Sequence, residues 1–180
     1  YNYADGTILL SSAEGWGLAL TESLLTGTPI IANVTGGMQD QMRFEDENGD
    51  WIKFNNDFPS NHKGTYKKHG EWALPVFPSN LSLVGSPRTP YIWDDRCNAE
   101  DAAKQIEVLY NMGDKERKRI GKVGRTWAIG DEAGFTAEKM SNKVIKGMDK
   151  LFKKFKPRPK FTFTKDTDIE KKVLNHKLIY

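Results

Sequence analysis

Apolar positions along the chain fall in short blocks separated by glycine and proline breaks. Ile8-Leu9-Leu10, led by Thr7, is compact and apolar enough for a buried strand. Leu18 to Leu25 is rich in helix formers and is stopped by Gly27 at a natural C′ position. Thr28-Pro29 breaks the chain, and Ile30-Ile31-Ala32 supplies a second buried strand. Strand, helix and strand at this spacing predict one β-α-β unit over 7–33, with parallel strands and a right-handed crossover.

Beyond it, Thr35-Gly36-Gly37 reads as a loop and Met38 to Met42 as a short helix. Asn48-Gly49 marks a turn before a strand candidate at Trp51-Ile52-Lys53-Phe54. Residues 55–90 are dominated by Asn, Gly, Pro, Ser and Lys, with apolar islands at Trp72–Phe77 and Leu81–Val84. A structureless loop of that length is unusual in a compact domain, so an ordered insertion or a lid is expected. Pro90 to Trp93 is placed as the last strand. Asn98 with Asp101 resembles a capping box opening a helix through Met112, and Gly113 ends it. Asp114 then caps a second helix, weakened by Gly121 and Gly124. Thr136 caps a third, on which Met140, Val144, Met148, Leu151, Phe152 and Phe155 form one apolar stripe, read as core packing. Lys156 to Lys160 reads as a linker. The domain is thus expected over 1–156 and a linker with a C-terminal tail over 157–180.

Composition narrows the classes. The 38% hydrophobic content among 180 residues is enough for one core, which argues against wholesale disorder. A net charge of +3 is too even for a nucleic-acid binder. Cys97 is the only cysteine, so no internal disulfide forms. No apolar run reaches the length of a membrane span. A soluble, cytoplasmic protein is expected. The chain opens at Tyr1 and reaches a strand almost at once, as a fragment beginning in mid-fold would.

Chemistry concentrates between Ser11 and Glu22. This segment follows a parallel strand and opens a helix, the place where α/β sheets bind ligands. Amides of the first helical turn carry a partial positive charge suited to phosphate. Gly15 and Gly17 let the backbone approach a ligand closely. Glu14 and Glu22, eight residues apart, would be separated by about 12 Å of rise in helical geometry. That roughly matches the distance from a sugar ring to a ribose across a diphosphate. One carboxylate would accept hydrogen bonds from sugar hydroxyls and the other from the ribose diol. A dinucleotide fingerprint fails because position 20 is Leu20 rather than glycine. No phosphate loop and no paired-cysteine or His-Glu-x-x-His pattern occurs.

Glu14-Gly15-Trp16-Gly17-Leu18 through Glu22, Gly27-Thr28-Pro29-Ile30-Ile31-Ala32 and Gly36-Gly37 together resemble the retaining glycosyltransferases of group 1 (family 4), which have the two-domain GT-B fold. The resemblance is close over 4–42 and looser through the helices from Asn98 to about Phe155. It implies an α/β fold, a Rossmann-like parallel sheet flanked by helices, forming the C-terminal donor domain and incomplete at its N-terminus. It implies that Glu14 faces the donor sugar as the catalytic glutamate and that Glu22 holds the ribose. Amides from Gly15 through Trp16 and Gly17 to Leu18 would cradle sugar and diphosphate, with Ser11, Thr35, Gly36 and Gly37 as further substrate-binding candidates. The implied reaction moves a hexose from a nucleoside-diphosphate sugar to a hydroxyl acceptor with retention, usually without a bound metal or other cofactor. The family's diphosphate-neutralising Arg and Lys, and its N-terminal acceptor domain, would lie upstream of Tyr1, so this segment is expected to be inactive alone. Trp16 stands where Phe is commoner.

Each feature also has a plainer reading. Glu14 and Glu22 taken singly are ordinary acids at a helix start. Gly36-Gly37 serves equally as a turn. His62, His69 and Cys97 match no metal spacing and read as surface histidines and a buried thiol. Trp72, Tyr91 and Trp93 suit either sugar stacking or strand packing. Lys143, Lys146, Lys150, Lys153 and Lys154, interleaved with the apolar stripe, form a solvated face that could also draw the helix peripherally to an anionic membrane or to an acidic acceptor. A non-catalytic interaction module on the same fold, and a nucleotide-sugar epimerase or phosphorylase, are the rival functions.

Overall fold

The computed structural model describes residues 1–158. The chain divides into two units, the first Tyr1–Met140 and the second beginning at Ser141. In the first, β1 (Thr7–Leu9), β2 (Ile30–Asn33) and β3 (Ala73–Val76) form a parallel sheet with β2 in the centre. Ile8 lies opposite Ile31, and Ile31 opposite Leu74. Helix α1 (Leu18–Thr26) connects β1 to β2 and ends at Gly27, whose N–H closes on the last turn. The β-α-β unit is therefore present as its punctuation predicts, although β1 lies at the sheet edge with Ile8 exposed instead of buried, and α2 (Met38–Met42) has the expected bounds.

Alternation along the strands separates two cores. Ile30 and Ala32 point to one face of the sheet, where they pack with Leu20 and Leu24 of α1, Met38 and Met42 of α2, and Trp72. Ile31 and Leu74 point to the other, against Ala102 and Leu109 of α3 (Ala99–Asn111) and Ile120 of α4 (Gly113–Ile129). All four residues of β2 are buried, as a strand covered on both faces requires. This is the Rossmann-like α/β arrangement. Helix α4 reaches α1 closely because Gly121 has no side chain: a methyl there would overlap the Gly27 carbonyl oxygen. At Gly124 a methyl would lie 2.7 Å from Cβ of Trp72. The two glycines that weaken α4 as a helix are the ones that let it pack.

Several expectations need correction. The third strand is Ala73–Val76, inside the region read as an insertion. Trp51–Phe54 is not a strand; Trp51 makes only an isolated bridge to Glu45. Pro90–Trp93 does not extend the parallel sheet. It lies in β5 (Thr89–Arg96), which pairs with β4 (Asn80–Ser86) in a separate antiparallel hairpin. Residues 55–72 are ordered by their own contacts: Phe58 packs on Phe54 and Tyr66, and Gln39 accepts hydrogen bonds from Ser60 and the Asn61 amide. Asn98 stands before α3 but donates its side-chain amide to Asp101 instead of capping the backbone. Asp114 falls inside the first turn of α4 and is bonded to Lys118. Cys97 is half-buried, against the second core.

Helix α5 (Ala137–Lys154) starts at Thr136, whose hydroxyl accepts the Lys139 amide as predicted. It buries none of its residues: Met140, Val144, Met148, Leu151 and Phe152, with Phe155 beyond its end, are all exposed, so the stripe is not core. Helical periodicity shows that one face is apolar and not what covers it. No helix among the described residues is long and apolar enough to cross a membrane.

Candidate functional site

The site is built where β1 and β2 end. After Leu9 the chain turns through Ser11–Trp16 and enters α1 at Gly17, which adopts φ 80°, ψ 65°. A side chain is strained in that conformation, and a methyl at this point would sit 3.0 Å from Cγ of Met38. Gly17 is thus needed for the bend into the helix, and no side chain caps the helix start. Gly15 differs. It is exposed, with nothing within 4 Å of an added methyl, so its backbone is open to an approaching ligand.

Glu14 is half-buried in this turn, and the Ser11 hydroxyl donates to its Oε1 at 3.0 Å. Ser11 therefore orients the carboxylate. Glu22 stands exposed on α1, and a hydrogen bond to its carboxylate raises the pKa of the Tyr1 phenol. Because α1 begins at Leu18, only the second half of the Glu14–Glu22 span is helical, and the continuous 12 Å helical rise does not apply.

The loop after β2 locks onto this turn. A methyl on Gly36 would overlap the Glu14 carbonyl oxygen, and one on Gly37 would lie 2.7 Å from Cα of Trp16. The Gly37 N–H donates to that same Glu14 carbonyl at 3.1 Å. The glycine pair is thus a contact between two loop backbones. Thr35 is buried and its hydroxyl donates to Oδ2 of Asp95 at 2.7 Å, so it acts on the frame of the site.

That frame reaches the hairpin. Asn33, at the end of β2, donates to the Ser11 carbonyl at 3.0 Å and to the Asp95 carbonyl at 2.7 Å. The Asp95 amide donates to the Ser12 carbonyl at 2.9 Å, and the Ser12 hydroxyl to Oδ2 of Asp94 at 3.0 Å. Oδ1 of Asn33 and Oδ1 of Asp95 are buried acceptors without a protein partner. Asn33, Asp94 and Asp95 escaped sequence reasoning; their only signal was polarity at the end of an apolar run. The hairpin carries Tyr91 and Trp93 exposed beyond this base, whereas Trp72 is buried and stacks on Trp127. Trp93 lies opposite Leu83 across the hairpin.

Trp16 turns its side chain inward. Its indole N–H donates to the Thr21 hydroxyl at 2.8 Å, and its ring meets Phe135 edge-on at 5.3 Å. Thr21 in turn donates to Oε1 of Gln41 at 2.8 Å. The Gln41 amide donates to the carbonyls of Trp16 at 2.6 Å and Gly17 at 3.1 Å. Only the main chain of Trp16 belongs to the mouth of the loop. Thr21 and Gln41 also went unnoticed in the sequence, where a glutamine within a five-residue helix carries no pattern.

Two loops thus meet at the C-terminal ends of parallel strands, with a glutamate oriented by a serine and a helix start without a side-chain cap. Such a place suits a ligand that combines an anionic group with hydroxyls. Residues 1–58 match the family described as glycosyl transferases group 1. Glycosyl transfer is the chemistry this match supports. It takes in every site residue named from the sequence, while the helices from Asn98 onward lie outside it. No curated protein and no solved structure matches the chain. The glycosyltransferase match and the two-loop site coincide. A concave region lined by Asn2, Asp5, Thr26, Gly27, Arg117 and Lys118 lies at the other end of the strands, and shares no residue with the site.

His62 and His69 are half-buried, and the His69 ring meets Phe44 edge-on. Among the described residues no group of three or more His, Cys, Asp or Glu could hold a metal ion.

Proposed function

We propose that the Ser11–Glu22 turn takes a nucleoside-diphosphate sugar and that the chain is the donor-binding part of a retaining glycosyltransferase of the GT-B type. The observation carrying this reading is the coincidence of the matched segment with the Ser11-oriented Glu14 at the start of α1. In this reading Glu14 accepts hydrogen bonds from donor-sugar hydroxyls at the reacting carbon. Glu22 exchanges the Tyr1 phenol for the ribose diol. Amides of Gly15 to Leu18 face the diphosphate and stabilise it as it departs, the principal electrostatic need of such a transfer. The transferred group is a hexose and the acceptor a hydroxyl. No residue of this site is assigned to a metal.

Calorimetry with UDP- and GDP-sugars tests the reading. The chain should bind one donor class, and Glu22→Ala should lose about 1.5–3 kcal/mol of that affinity, as expected for hydrogen bonds to a charged group. Equal binding by Glu22→Ala would remove Glu22 from the site. A chain that binds neither class would overturn the reading.

A further inference from the structure

We infer that Gln41 is a positioning residue for the donor loop, a role that rests on the reading above. Gln41 is fully buried on α2. Its side-chain amide holds two successive carbonyls, those of Trp16 and Gly17. In a trans peptide the C=O and the next N–H point in opposite directions. Drawing both carbonyls inward therefore turns the N–H groups of Gly17 and Leu18 away from the core, toward the side a ligand must approach. Gly17 in the left-handed region followed by helical Leu18 gives the alternation that forms an anion-binding nest. The Glu14 carbonyl, held by the Gly37 amide, turns the Gly15 N–H in the same manner.

The clamp is braced at its side-chain oxygen and at its main-chain carbonyl. Oε1 of Gln41 accepts from Thr21, which accepts from the Trp16 indole, and the Gln41 main-chain carbonyl accepts from the Trp72 indole at 3.0 Å. This closes a ring from the Trp16 main chain, through Gln41 and Thr21, back to the Trp16 side chain. The amide orientation of the loop is thus set by α2 in addition to the loop's own sequence. Gln41 touches no ligand; it acts through the peptide planes it holds.

The test uses the 180-residue chain with Gln41→Leu, which removes the clamp, and Thr21→Val, which keeps Gln41 and removes both its brace and the acceptor of the Trp16 indole N–H. UDP and GDP are titrated by calorimetry well below each variant's melting temperature, and the Trp16 indole N–H is followed by NMR. The expected result is about a tenfold or greater loss of diphosphate affinity in Gln41→Leu, a smaller loss in Thr21→Val, and a displaced Trp16 resonance in both. A merely structural role would lower the melting temperature and leave affinity within twofold of wild type, which overturns the proposal. If Gln41→Leu does not fold, Thr21→Val decides by the same two readouts. A wild-type chain that binds neither nucleotide overturns the donor reading itself, a result distinct from wild-type binding that the variants share.

Discussion

At Gly36 a single hydrogen in place of a side chain decides whether the two site loops can meet. Its φ is +48° and the space where a methyl would go is taken by the Glu14 carbonyl oxygen. Gly36→Ala should therefore cost about 2–4 kcal/mol, combining left-handed strain with overlap. Gly15, with open space around it, should accept alanine with a change below about 0.5 kcal/mol. Urea unfolding of both variants checks the contrast, and similar losses in the two would contradict the loop packing. The sequence motif contains both glycines and does not distinguish their jobs. Gly15 faces outward, while Gly36 faces another backbone 22 residues earlier.

Among the elements, α4 and α5 use glycine in opposite ways. Gly121 in α4 lies against the Gly27 carbonyl, so Gly121→Ala should push α4 off α1 and lower stability by about 1–3 kcal/mol, despite alanine's better helix propensity. Gly147 in α5 has nothing within 4 Å, so Gly147→Ala should raise helicity and stabilise that helix by up to about 1 kcal/mol. Circular dichroism and thermal melts of the two variants should move in opposite directions. The elements themselves were legible wherever local punctuation was strong, as at Gly27 and Pro29. They were not where the strand was short. Ala73–Val76 has four residues, includes Pro75, and is recognisable as a strand only once it lies beside β2 at the sheet edge.

In the whole molecule, charges tie distant segments together and make stability depend on pH. Arg43, after α2, bonds Glu132, after α4, at 2.9 Å. The hydrogen bond from Arg43 holds the Glu132 carboxyl below its ordinary value of 4.5. The folded state thus binds fewer protons at Glu132 than the unfolded chain. Its contribution is complete above the unfolded pKa and is lost as pH falls through the lowered folded one. Asp40 has the opposite sign, since burial raises its pKa, and it disfavours the folded state most when ionised. Denaturation midpoints measured between about pH 7 and pH 3 should show Glu132→Gln flattening the acid loss and Asp40→Asn gaining stability at neutral pH, a gain that disappears in acid. Opposite slopes would refute the two environments.

The β-α-β unit, its stop signals and the two-glutamate, two-glycine segment were decided by the sequence alone, because each depends on residues within one or two turns of one another. Tertiary structure alone decided what those residues do. It turned the Trp16 indole inward onto Thr21, bound Thr35 to Asp95 sixty positions away, placed Gln41 under the loop carbonyls, and left the stripe of α5 outside the core. A local pattern records which face is apolar and where the backbone bends. It carries no record of which distant side chain completes a hydrogen bond, since that partner is selected only when the chain has closed its long loops.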